Sequence, residues 1–164
     1  MPRLKPINKA HISIGSITLF IGLLFYLTNR PSDQIYFICK GFIPISMPQY
    51  FSVKLGIIGL CLPSFVHVFS FSIITAGWIS SGKRSMFMIC LVWFIIDSLF
   101  ELGQKYNIWS SSIVPDWFFN VPFLENTKNY FMKGTFDYFD LIAISIGAAS
   151  AYLVLIITET RKMS

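Results

Sequence analysis

Four runs of apolar residues, each long enough to cross a bilayer, dominate this chain. They lie at about 12–28, 53–79, 86–102 and 138–158. A spanning helix needs about 20 mostly apolar residues, because the hydrocarbon core is about 30 Å thick and a helix rises about 1.5 Å per residue. Within lipid every backbone N–H and C=O must be paired inside the protein, so isolated runs of this kind become helices. Most of each run is apolar on all sides, as expected of a helix that faces lipid. The runs and their connections use nearly all of the 164 residues and leave no room for a separate soluble domain. The expected fold is all-α, a single polytopic membrane domain over residues 1–164 with a bundle of four transmembrane helices.

Composition agrees. Only 13% of the residues are charged and 54% are hydrophobic, whereas a soluble domain carries about 25% charged residues. A soluble enzyme, a disordered tail and a disulfide scaffold all fit this balance poorly. The net charge of +5 would suggest nucleic acid in a soluble protein. Here the basic residues sit in segments between the apolar runs. Retention of Lys and Arg on the cytoplasmic side explains them without a nucleic-acid partner.

The same residues set the expected orientation. Arg3, Lys5 and Lys9 precede the first run, Lys83 and Arg84 fill a tight connection, and Arg161 and Lys162 follow the last run. Arg30, Lys40, Lys54, Lys105, Lys128 and Lys133 are spread over two long loops. The denser group belongs inside. Both termini are therefore expected in the cytoplasm of a multi-pass cell-membrane protein, with the loops near 29–52 and 105–137 outside. The first run has the basic start of a signal peptide, but YLTNRPSDQ offers no small-x-small cleavage site, so it reads as an uncleaved helix.

Both loops are rich in aromatic residues. The first contains QIYFICKGFIPISMPQYF, and the second contains Trp109, Trp117, Phe118, Phe119, Phe123, Tyr130 and Phe131. Such side chains favour the headgroup region. The expectation is that the loops lie on or dip into the interface; a sharper alternative is a lid over a lipid-facing site. Pro44, Pro48, Pro115 and Pro122 break any long helix there. Cys39, Cys61 and Cys90 have no metal-ligand spacing, and Cys61 and Cys90 read as small packing residues in the spans. No phosphate loop, dinucleotide fingerprint, zinc-protease helix or nucleophile elbow occurs. No metal or cofactor is expected.

The ionisable residues within or beside the spans carry the most information. A central Asp costs about 2.5–3.5 kcal/mol on insertion scales, so such a group faces protein, water or a ligand. Asp97, Glu101 and Gln104 are spaced i, i+4, i+7 and share one helix face. Asp137 and Asp140 open the fourth span at the same expected level. Acids there also satisfy free backbone N–H groups, a role that suits Asp137 or Thr135, while Asp140 lies further into the helix. His67 stands near the middle of the second span, one turn after Pro63, where a kink is expected. These groups fit an outward polar cleft with proton-transfer or cation-binding groups. They fit an interhelical hydrogen-bond cluster equally well. Ser145, Gly147, Ala148, Ala149, Ser150 and Ala151 offer a small-residue face for close packing, with the third span as the expected neighbour.

Three short motifs, in order on successive spans, resemble the VanZ-like family of small bacterial membrane proteins. GTFDYFDLIAISIGA, from Gly134 to Ala148, is similar to its last-helix signature. Glu101-Leu-Gly-Gln104 is similar to its E-x-x-Q motif, and His67 in HVFSFSIITAG to its helix-borne histidine. The resemblance covers about the last hundred residues. The family's motif arginine falls at Gly134, beside Lys133, its asparagine at Ile144, and an acid usually before the glutamate at Phe100. The resemblance implies a helical membrane bundle of the cell envelope, linked in some members to glycopeptide (teicoplanin-type) antibiotic resistance. It carries over His67, Glu101, Gln104, Asp137 and Asp140 as a polar cluster and Gly147 as a packing residue.

The candidate binding cluster is therefore Asp97, Glu101, Gln104, Asp137, Asp140, His67 and Lys133. Its expected partner is a membrane lipid, a headgroup, a lipid-linked ligand or a cation. Gln104 would orient that ligand and Lys133 would contact an anionic part of it. No nucleophile stands out, so no reaction is assigned. An intramembrane enzyme acting on a lipid-linked substrate and a non-catalytic structural subunit are the alternatives.

Overall fold

The structure, a computed structural model, describes residues 7–29, 52–79, 82–122 and 124–163. The first long loop, with Cys39, Pro44 and Pro48, lies outside the described residues, as does Phe123. The fold is all-α, with no strand among the described residues. Four long helices form the bundle: α1 (Lys9–Asn29), α2 (Ser52–Ile79), α3 (Lys83–Lys105) and α6 (Tyr138–Met163). Each contains a stretch long and apolar enough to cross a membrane: Lys9–Leu27, Gly56–Ile79, Lys83–Lys105 and Tyr138–Glu159. Two short helices, α4 (Asn107–Ile113) and α5 (Thr127–Lys133), and a 3₁₀ turn (Asp116–Asn120) join α3 to α6. Pro115 immediately precedes the 3₁₀ turn and Pro122 follows it, so the breaks fall at the prolines.

The bundle has a tail end and a loop end. The start of α1, the end of α2 and the end of α6 meet at the tail end. There the Asn8 N–H donates to the Gly77 carbonyl at 2.9 Å, and His11 Nε2 bonds Thr158 Oγ1 at 2.7 Å. Thr158 Oγ1 donates its own proton to backbone carbonyls one turn back, so it accepts from His11.

Helix α2 is central and touches the three other long helices. Its contact with α1 depends on missing side chains: a Cβ on Gly15 would lie 2.9 Å from the Ser70 carbonyl oxygen. Gly147 brings α6 onto α2 in the same way, where a Cβ would meet the Phe65 carbonyl at 2.7 Å. The small-residue face of α6 therefore reaches the second span at Gly147, and it also meets the expected third span, where Ala151 packs with Met86, Ile89 and Cys90. Ser145 and Ala149 on α6 are exposed. The reason is geometric: helix backbones can close up only where both partners leave room, and Gly147 lies between Phe65 and Val68.

The bend in α2 also differs from expectation. Pro63 sits inside the helix, and the non-helical backbone is at Gly56 (φ 50, ψ −133). A positive φ of this kind is open to glycine and costly for residues with a Cβ. Proline removes one helical hydrogen bond but its own φ suits a helix, so the chain tolerates Pro63 and turns at Gly56.

Candidate functional site

Three polar contacts join α2, α3 and α6 in the half of the bundle nearer the loop end. Ser64 Oγ on α2 donates to Asp140 Oδ1 on α6 at 2.7 Å. His67 Nδ1 on α2 bonds Asp97 Oδ2 on α3 at 2.9 Å. Glu101 Oε1 on α3 accepts the backbone N–H of Asp137, just before α6, at 2.8 Å. Helix geometry explains the spread: Ser64 and His67 are about 4.5 Å apart along α2, and Asp97 and Glu101 about 6 Å apart along α3, at about 1.5 Å per residue. Together they make a seam of short hydrogen bonds that runs down from the loop end.

All the sequence-predicted residues except Lys133 have a definite place in it. Asp137 caps α6: its Oδ1 accepts the N–H of Phe139 at 2.9 Å. Glu101 is buried, with Gln104 Nε2 at 3.3 Å from its other oxygen. Gln104 Nε2 also donates to the Tyr130 hydroxyl on α5 at 2.6 Å. Helix α5 thus lies across the end of α3. Phe131 fills the space over Gly103, and Phe131 and Phe100 stack with ring centres 5.7 Å apart. Lys133 is exposed at the end of α5. The cation beside the start of α6 is Lys105, whose Nζ lies 5.1 Å from the centre of the Phe136 ring.

The predicted face Asp97–Glu101–Gln104 exists, but its members reach different elements: α2, the α5–α6 connection and α5. Asp140 is held by α2. Sequence reading missed Ser64, Thr75 and Tyr130 as partners. Ser64 and His67 are spaced i, i+3, a signal for one shared face. Nothing in the sequence pairs Tyr130 with Gln104.

The His67 environment is the most distinctive. The imidazole is in edge-on contact with Trp93 (6.2 Å) and tilted against Phe71 (4.5 Å), and these two rings stack at 4.8 Å. Trp93 Nε1 donates to Thr75 Oγ1 at 3.0 Å. Asp97 is 10% exposed but His67 is 48% exposed. A carboxylate accepts, so Nδ1 donates to Asp97, and in the neutral ring Nε2 is left as an acceptor. His67 Nε2 makes no hydrogen bond among the described residues. No cluster of metal-ligand type occurs among the described residues. A shallow depression of about 490 Å³, lined by Gly82, Lys83, Arg84, Ser85 and Met88, lies at the opposite end of α3. Comparison with protein-family models, with curated proteins and with solved structures found no match.

Proposed function

We propose that this chain is a VanZ-like integral membrane protein of a bacterial cell envelope, with its loop end outward, that binds the headgroup of an envelope lipid or lipid-linked ligand at the polar seam. Glycopeptide (teicoplanin-type) resistance is the phenotype to which the resemblance points. The motif residues support the reading by interlocking: Glu101 holds the backbone of Asp137, and Asp140 reaches the helix of His67. The observation that carries it is His67, oriented by Asp97 and half exposed on the flank of the bundle. A polar group left bare at this depth costs free energy, because hydrocarbon offers it no partner. A headgroup that donates a hydrogen bond removes that cost. The surrounding acids Asp97, Glu101, Asp137 and Asp140 favour a hydroxyl or an ammonium over a bare anion. Glu101, Gln104 and Asp137 frame the site, since their hydrogen bonds are made within the protein.

Native mass spectrometry of the detergent-purified chain tests this. Phosphatidylglycerol and phosphatidylethanolamine carry donors, whereas phosphatidylcholine carries none. Preferential retention of the donor lipids is expected, lost in His67→Ala and kept in Ser145→Ala, which alters an exposed hydroxyl bonded to its own helix. Equal retention of all three lipids would overturn the proposal.

The carboxylate on Nδ1 also favours a second reading, an intramembrane enzyme with His67 as general base. In acyl-transfer enzymes the same order of partners prepares a base. Chemical change in the retained lipid, abolished by His67→Gln, is its signature; an unaltered lipid leaves binding as the activity.

A further inference from the structure

Helix α4 has its amphipathicity reversed. Ser110 and Ser111 are 3% and 7% exposed and, of its serines, Ser112 alone is exposed, while Ile108 and Trp109 are 78% and 66% exposed. Ile113 is exposed as well, and Trp117 and Phe119 continue the apolar surface through the 3₁₀ turn. The Ser111 hydroxyl turns back to the Ile108 carbonyl at 2.9 Å, satisfied within the helix. A helix bathed in water places its serines outside and its tryptophan inside. This arrangement is stable only where the outer face meets something apolar.

We infer that residues 106–122 lie in the headgroup–acyl boundary of the leaflet at the loop end, with Ile108, Trp109, Ile113, Trp117 and Phe119 turned into the lipid. Continuity with the lipid-facing flank of the bundle identifies the occupant. The exposed apolar surface of α3 at Leu99 and Leu102 runs into Tyr106, and that of α6 begins at Tyr138 and Phe139 on the same end. Tyrosine and tryptophan, with an apolar body and a polar tip, collect at this depth. The segment is fixed to the seam through α5, which packs on α4 and bonds Gln104 through Tyr130. The bilayer surface thereby holds the cover over Glu101 in place. This goes beyond the ligand proposal and does not depend on it.

Fluorescence quenching of the whole chain in phosphatidylcholine vesicles tests the inference. Trp109→Phe and Trp117→Phe change exposed side chains, so the wild-type minus variant difference isolates each emission. The tryptophans Trp78 and Trp93 are left in place. Loss of most of the Trp109 and Trp117 emission to lipids brominated near the headgroup is expected, together with resistance to aqueous iodide. Iodide quenching with no lipid quenching would overturn it. So would protection that appears only at high protein-to-lipid ratio, because a second copy would then be covering the patch.

Discussion

At the tail end, α2, α3 and α6 meet through Ile73, Ala76, Met86, Ile89, Cys90, Ala151 and Leu155, with Phe69, Trp93, Tyr152 and Val154 packed around them. Nearer the loop end the same three helices meet through Ser64 and Asp140, His67 and Asp97, and Glu101 and Asp137. One contact is non-directional and the other directional. Lipid tails are as apolar as leucine, so packing, more than escape from water, holds helices together in a bilayer. The tail half relies mainly on that packing, with Trp93 donating to Thr75 and His11 to Thr158 at its edges. The loop half sets direction with hydrogen bonds, which fix the rotation of each helix about its axis and leave one group, His67, facing outward. Stability should therefore depend more on the tail half, and the proposed ligand recognition on the loop half.

The largest expected loss tests the first part of that contrast. Leu155 is completely buried, and Leu155→Ala should cost about 2–5 kcal/mol through the cavity it leaves. Reversible unfolding of the detergent-solubilised protein in dodecyl sulfate measures it. A loss smaller than any in the polar half would reverse the comparison.

Glu101→Ala comes next. It leaves the N–H of Asp137 without its acceptor, at a cost of about 1–3 kcal/mol. Glu101→Gln should cost less, because the amide oxygen still accepts. Hydrogen exchange at the Asp137 amide reads the change directly: it should speed up in the alanine variant and stay slow in the glutamine variant. The smallest effect belongs to the pair between Ser64 and Asp140. A double-mutant cycle with Ser64→Ala and Asp140→Asn should give a coupling of about 0.6 kcal/mol, typical of hydrogen bonds between membrane helices. A coupling as large as the Leu155 effect would show that the loop half carries stability as well as direction.

Much of this was legible in the sequence. The four spans follow from length and apolarity, and the shared face of Asp97, Glu101 and Gln104 follows from helical period. A cap at Asp137 or Thr135 follows from their place before an apolar helix, and Asp137 takes the role. Three particulars were not legible. The non-helical backbone falls at Gly56, although Pro63 gives the louder signal. The Gly147 face meets α2, and Asp140 goes with it to Ser64. Gln104 pairs with Tyr130, which is 26 residues away in the chain. Each depends on which helix lies beside which, and periodicity says nothing of that.

The sequence by itself determined that this chain forms four membrane-length helices, and it determined which polar residues each would carry on one side. Those are local properties, set by a 3.6-residue turn and by the cost of leaving backbone polar groups in lipid. Only the tertiary structure decided the partners. Asp97 holds His67, Ser64 holds Asp140, and Glu101 is sealed beneath the start of α6. The reason is that a helix fixes which side chains share a face but leaves its own rotation and neighbours open. Close contacts at Gly15, Gly103 and Gly147 close that freedom, and the hydrogen bonds of the seam then register the helices against one another.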